Sequence, residues 1–223
     1  MEKANQLHNE LVEKVAENDE GLMEMYFEKG TLNENEMRQG LKIGMRNHVV
    51  FPIFCVSAKN DMCSGRMMGF IDNVAPSSVD IQPERLEDGK ELFHFLDGPE
   101  VLFVYKTAIE PNLDKMSFFK VISGQVNAGD ELINHQTGET ERINQLFIVD
   151  GHKRNPINKL VVGDLGMTLK LKSTETNHTL CGKNINVCVQ PIEFHEPKMQ
   201  MAIIANNNSD DEKLGEVLQK IHQ

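Results

Sequence analysis

Three residues stand where they could hold a flat aromatic ligand: Ser57, Ala58 and Lys59, directly after the apolar run 48–56 (HVVFPIFCV). A tight turn following a buried strand can aim a backbone N–H and a serine hydroxyl at a purine carbonyl while a lysine stem covers the ring face. A second chemistry is contact with phosphate. Lys170 and Lys172 alternate with apolar residues in the run 167–172, so on a strand both would face outward, and His152-Lys153-Arg154 form a further short basic stretch. A solvated sheet face explains the lysine pair equally well, and the residues by themselves leave the two readings level.

Other chemistries find no matching pattern. The eight histidines show no H-x-x-x-H spacing and the four cysteines no C-x-x-C, so no metal site is expected. Cys63 and a distant histidine would be needed for a thiol nucleophile, and nothing in the sequence positions such a pair, so no catalytic residue is assigned. A G-x-x-x-x-G-K-[ST] loop, whose backbone N–H groups and lysine would cradle phosphates, does not occur, nor does an N-K-x-D guanine selector. The chain alone is therefore expected to bind nucleoside triphosphates weakly or not at all.

The net charge of −11 over 223 residues argues against a broad basic nucleic-acid surface, and DNA is not an expected partner. The charge is uneven: residues 101–200 carry 11 basic and 11 acidic residues, so a local RNA contact is compatible with that region alone. No apolar stretch approaches the roughly 20 residues a bilayer-spanning helix needs, and the first residues do not read as a secretory signal. A soluble, cytoplasmic protein with reduced thiols is expected, with Cys55 and Cys188 in its core.

The elements that must position these residues read as follows. Residues 7–27 have helical apolar spacing, broken near 18–21 and stopped at Gly30-Thr31. Thr31 to Glu34 resembles a capping box opening another helix to about Met45. Residues 48–56 read as a strand buried on both faces, followed by a helix over Ser64–Val74, with methionines such as Met23, Met37 and Met67 filling the core. Three prolines among acidic residues make 76–100 a linker. Beyond it the runs 101–109, 116–123, 141–149 and 167–172, separated by turn signals such as Ser123-Gly124 and Ala128-Gly129-Asp130, predict an antiparallel sheet closed into a barrel. A last strand at 199–205 and a helix around Leu214, Val217, Leu218 and Ile221 complete the pattern.

This order of pieces resembles translation elongation factor G along nearly the whole chain. Residues 11–26 are similar to the helical segment late in that family's GTP-binding domain, and Cys55-Val56-Ser57-Ala58-Lys59-Asn60 looks like its fifth guanine-nucleotide motif. Residues 121–132 and 162–166 are similar to the second-domain barrel signature, and 191–197 with 211–215 to the start of the third domain. Departures at Asp114-Lys115 and 177–180, together with a Ser-Ala loop one residue short, mark a divergent relative.

The resemblance implies an α+β multi-domain fragment: 1–82 as the C-terminal part of an α/β GTP-binding domain, 83–192 as a β-barrel, and 193–223 as the first strand and helix of a ferredoxin-like domain. It implies that the Ala58 N–H donates to guanine O6 while Ser57 shapes the loop, with GTP and magnesium bound only in the intact protein. The ribosome, through small-subunit RNA and proteins, is the implied partner, and GTP-dependent tRNA–mRNA translocation the implied activity. Rival readings are a ribosome-protection or release-type GTPase, a stand-alone barrel binding RNA or protein, and a small hydrolase.

Overall fold

A computed structural model describes residues 2–109, 115–204, 214–215 and 217–218. The chain divides into two compact units, Met1–Gln82 and Pro83–Gln223.

The first unit opens with α1 (Glu2–Ala16), α2 (Glu20–Lys29) and α3 (Glu34–Arg46). The expected break falls at Asp19, whose Oδ1 accepts from the Leu22 N–H at 3.1 Å and caps α2. Gly30, at φ 71, ends α2 by donating its N–H to the Tyr26 carbonyl at 2.7 Å. The capping box of α3 sits two residues later than the sequence pattern placed it. Asn33 Oδ1 accepts from the Glu36 N–H at 3.0 Å, and the Glu36 carboxylate accepts from the Asn33 N–H at 2.7 Å. Leu32 is drawn into the core of this unit, so the chain can turn helical only after it.

That core consists of Val12, Val15, Ala16 and Leu32, with Met23, Met25, Tyr26, Met37 and Leu41 packed on it. Here the methionines fill gaps as their spacing predicts, whereas Met62 and Met68 are exposed. Gly40 lets α3 approach closely: a Cβ there would lie 2.4 Å from Val15 Cγ1. A fourth helix, α4 (Ser64–Val74), spans the predicted range.

The strand expected over 48–56 does not form. Residues 51–56 form no regular element and pair with no strand, with Phe51 72% and Ile53 91% exposed and Cys55 exposed rather than in the core. A strand needs neighbours to satisfy its backbone groups and cover its side chains, and no described segment offers a ladder to this run. The helix, helix, strand, helix reading is therefore corrected to four helices with an irregular connection between α3 and α4.

The second unit starts with a small hairpin, β1 (Glu84–Arg85) and β2 (Glu91–Leu92), inside the stretch read as a linker. Leu86 bridges Val189, and His94 is buried with its Nδ1 2.8 Å from the Ile122 carbonyl. The remaining strands are β3 (Val101–Ala108), β4 (Met116–Ser123), β5 (Gln125–Asn127), β6 (Glu131–Asn134), β7 (Thr140–Arg142), β8 (Leu146–Asp150), β9 (Lys153–Ile157), β10 (Lys159–Val161), β11 (Leu165–Leu169) and β12 (Thr179–Cys181). Eight of them pair antiparallel in the order β7-β6-β12-β3-β4-β11-β8-β9, and β5 pairs with β10 separately.

Leu132 from one end of this ladder and Leu146 from the other join Leu102, Val104, Phe119, Val121 and Leu180 in one cluster. Only a sheet that curls over itself brings its two ends to a common core. Among the described residues the ladder does not close: β7 and β9 are its edges, so the predicted closed barrel is a curled half-barrel. β9 carries Pro156, which has no N–H to extend a ladder, and β7 is only three residues long.

The run 141–149 splits between β7 and β8, because Asn144 and Gln145 interrupt it. Residues 199–204 form no strand, and Met199, Met201 and Ile204 are 82%, 85% and 86% exposed. Of the strand and helix expected there, helical residues are described at 214, 215, 217 and 218, while residues 205–213 and Ile221 lie outside the described residues.

Candidate functional site

The turn after the run 51–56 is built by backbone. Ser57 and Met62 exchange hydrogen bonds, Ser57 N–H to Met62 O at 3.1 Å and Met62 N–H to Ser57 O at 3.0 Å, which pins the two ends of a single turn of 3₁₀ helix, Ala58–Asn60. The Ser57 hydroxyl makes no cap bond, so Ser57 shapes the turn through its main chain. Asp61 and Cys63 hold left-handed backbone at φ 50 and φ 63, a conformation that costs residues with a Cβ about 1 kcal/mol or more. The Ala58 N–H takes no part in the turn's backbone bonds, and Ala58 and Lys59 are exposed. No phosphate-cradling loop accompanies these residues in the sequence.

The cationic candidates belong to the second unit. His152 occupies the two-residue turn between β8 and β9 with Gly151, whose φ of 59 is the left-handed backbone a tight hairpin demands. Lys153 follows, exposed, and Arg154 is half-buried. A cavity of about 170 Å³ lies here, lined by Met116, Phe118, Val149, Gly151, His152, Arg154 and Met167.

Lys170 and Lys172 are both exposed, as alternation predicts, but not because a strand continues through them. β11 ends at Leu169, Lys170 turns left-handed at φ 65, and Leu171 plunges into the core between the two lysines. Lys170 borders a second cavity of about 350 Å³ with Asn144, Gln145 and Leu169. Since β11 runs antiparallel to β8 with Met167 opposite Phe147, the lysines sit at the Asn144 end of β8 and the His152 turn at its Asp150 end. The structure therefore separates the five residues into two patches.

Sequence reasoning missed the group that holds the lysine segment. Glu141 is buried, and its carboxylate accepts from Ser173 N–H at 2.7 Å, Lys172 N–H at 3.1 Å, Thr174 Oγ1 at 2.9 Å and Ser173 Oγ at 3.1 Å. Burial by itself would raise the Glu141 pKa, yet these four donors stabilise the anion and hold it below the ordinary carboxylate value. Asn134 Nδ2 lies 3.1 Å from Thr174 Oγ1 and 3.0 Å from His178 Nδ1, which also accepts the Glu175 N–H at 3.2 Å. An Nδ1 that accepts two N–H groups carries no proton, and burial lowers the His178 pKa, with Lys115 adding to the shift and Glu175 opposing it. The signal that could have found Glu141 was its two-residue spacing from the core residue Ile143.

Among the described residues no group of three or more His, Cys, Asp or Glu could hold a metal ion, and no helix is long and apolar enough to cross a membrane. Burial, with Glu87 adjacent, pushes the Cys188 thiol up to about 11, which leaves it a poor nucleophile. An open cavity of about 600 Å³ beside the β1–β2 hairpin is lined by Glu87, Glu91 and Glu193 with Arg85, a set unsuited to phosphate.

The curled antiparallel sheet has a counterpart among known domains. Residues 100–183 match the family model of elongation factor G domain 2. The curled half-barrel of the second unit thus resembles a domain of a translation factor. A solved structure from Thermus thermophilus superposes with a TM-score of 0.80 at 19% identity over 99% of this chain, a likeness of fold. The chain spans 31% of the length of that structure.

Proposed function

We propose that this chain acts as part of a ribosome-binding translational GTPase of elongation factor G type, promoting tRNA–mRNA translocation in the cytoplasm. The observation that carries this reading is the match of residues 100–183 to elongation factor G domain 2. The strained turn at 57–63 supports the guanine-facing role, with the Ala58 N–H donating to guanine O6 and Lys59 along the ring. GTP and its magnesium would be held in the intact protein, their phosphates by residues this chain does not supply.

The barrel supplies the contacts to small-subunit RNA. Lys170 and Lys172 form one contact and His152, Lys153 and Arg154 the other, and both are sequence-independent phosphate contacts of the kind that position a protein on RNA. The cavity beside His152 and Arg154 sets their polar groups among Met116, Phe118, Val149 and Met167, a mixed lining that suits an unstacked base, a feature RNA loops offer and duplexes do not.

Co-sedimentation tests this reading directly. The chain should pellet with small ribosomal subunits at low salt and be released as salt rises, since phosphate contacts give a steep salt dependence. The full-length protein should gain ribosome affinity with GTP and hydrolyse it in a ribosome-stimulated manner, whereas the chain alone should not. A chain that stays in the supernatant at all salt concentrations removes the ribosome from the reading.

A further inference from the structure

The segment after β11 is held more firmly than a surface loop requires. Within five residues it contains a left-handed Lys170, a core-inserted Leu171, an exposed Lys172, and Ser173 and Thr174 with their polar groups on one buried carboxylate. The bonds described for Glu141 all come from uncharged donors. A buried anion without a cation is a costly way to tie down a loop. Asn134, beside it, ties the same loop with a neutral amide, through Thr174 Oγ1 at 3.1 Å and the Ser173 carbonyl at 3.3 Å. The carboxylate does one thing the amide does not: it takes the backbone N–H groups of Lys172 and Ser173 together, at 3.1 Å and 2.7 Å. That fixes the main chain of Lys172 directly, and through Leu171 it sets where Lys170 emerges.

We infer that Glu141 is a positioning residue for RNA binding: it clasps the 170–174 segment so that Lys170 and Lys172 are presented as a fixed pair to two phosphates of an RNA backbone. This rests on the proposed contact of those lysines with ribosomal RNA. A fixed pair binds more tightly than two free lysines, because the main-chain ordering has already been completed before the RNA arrives.

The test is a double-mutant cycle read by the affinity of the 223-residue chain for purified small ribosomal subunits across a potassium chloride series. Lys170→Ala with Lys172→Ala should lower the slope of log affinity against log salt by about two, one for each phosphate no longer neutralised. Glu141→Gln, with both lysines in place, should lose part of that affinity and slope, because Lys172 N–H and Ser173 N–H bond to different carboxylate oxygens and the amide NH2 presents hydrogens to one of them. In the double-lysine background the same change should produce no further loss of affinity. Thr174→Val, which removes one hydroxyl and leaves both N–H donors on Glu141, should give a smaller change in the same direction and guards against a Glu141→Gln chain that does not fold. Affinity unchanged by Glu141→Gln and Thr174→Val, or reduced equally with and without the lysines, overturns the positioning role and leaves the RNA contact standing. An unaltered affinity in the double-lysine chain overturns both.

Discussion

At the residue scale, the neutral state of His178 has a measurable consequence. Its folded pKa lies below the ordinary histidine value, so neutral His178 contributes stability that is fully present above about pH 6.5 and is lost as pH falls through the lowered folded value. Protonation would place a hydrogen on Nδ1 against the Asn134 amide and the Glu175 N–H, the two groups it now accepts from. Lys115 opposes the added charge and Glu175 favours it. Glu141 has the same sign in a lower window, its contribution present above the ordinary carboxylate pKa of about 4.3 and fading below it. His178→Asn keeps an acceptor near the Nδ1 position and cannot titrate. Its melting temperature should therefore fall less than that of the unaltered chain between pH 7 and pH 5, by scanning calorimetry, and parallel curves for the two proteins would refute the assignment.

At the scale of elements, the first unit depends on how closely α3 approaches its neighbours. A Cβ on Gly40 would meet Val15 Cγ1 at 2.4 Å, Leu22 Cδ1 at 2.9 Å and the Val15 carbonyl at 3.0 Å, and the last of these is backbone that cannot swing aside. Gly40→Ala gains helix propensity of up to about 1 kcal/mol, but overpacking of this kind loses about 1–3 kcal/mol. The expected result is a net destabilisation in urea denaturation of the first unit, and a midpoint that rises would show that α3 shifts freely. The same scale shows what the sequence made legible. β3 and β4 fall where apolar spacing puts them, because each buries its own side chains within the chain, and α4 keeps its expected range although Val74 is buried while Met68 and Ile71 are exposed. The capping box moved because Leu32 had a core to enter, a tertiary fact that the local pattern Thr31 to Glu34 does not contain. β11 stopped short of Lys170 because Glu141, 29 positions earlier, competes for the backbone N–H of Lys172, which the alternation of a single run cannot reveal. Of the candidate site, the residue types were legible and their grouping was not, since it depends on the register of β11 against β8.

For the whole molecule, each unit leaves apolar stretches uncovered among the described residues: 49–56 in the first, with Phe51 and Ile53, and 93–96 and 192–204 in the second, with Phe95, Phe194 and Ile204. Isolated exposed apolar side chains are ordinary, but runs of them mark surfaces that other structure covers or that drive association. In the proposed role, the first stretch is the strand that a nucleotide-binding sheet would flank, and the turn at Ser57 takes its position from that strand. Among the described residues no strand flanks it, so the stretch contributes little to the folding of the chain. Phe51→Ser with Ile53→Ser should accordingly change the unfolding free energy of the chain by no more than about 0.5 kcal/mol per site, as expected for substitutions away from packed regions. Were the run a buried strand, removing two such side chains would cost about 2–5 kcal/mol each. The same pair should reduce self-association at high protein concentration, measured by light scattering, and should weaken guanine-nucleotide binding only in the intact protein. A large loss of stability in the chain alone would mean that 49–56 is packed within it, and the guanine-facing turn would then need a different support.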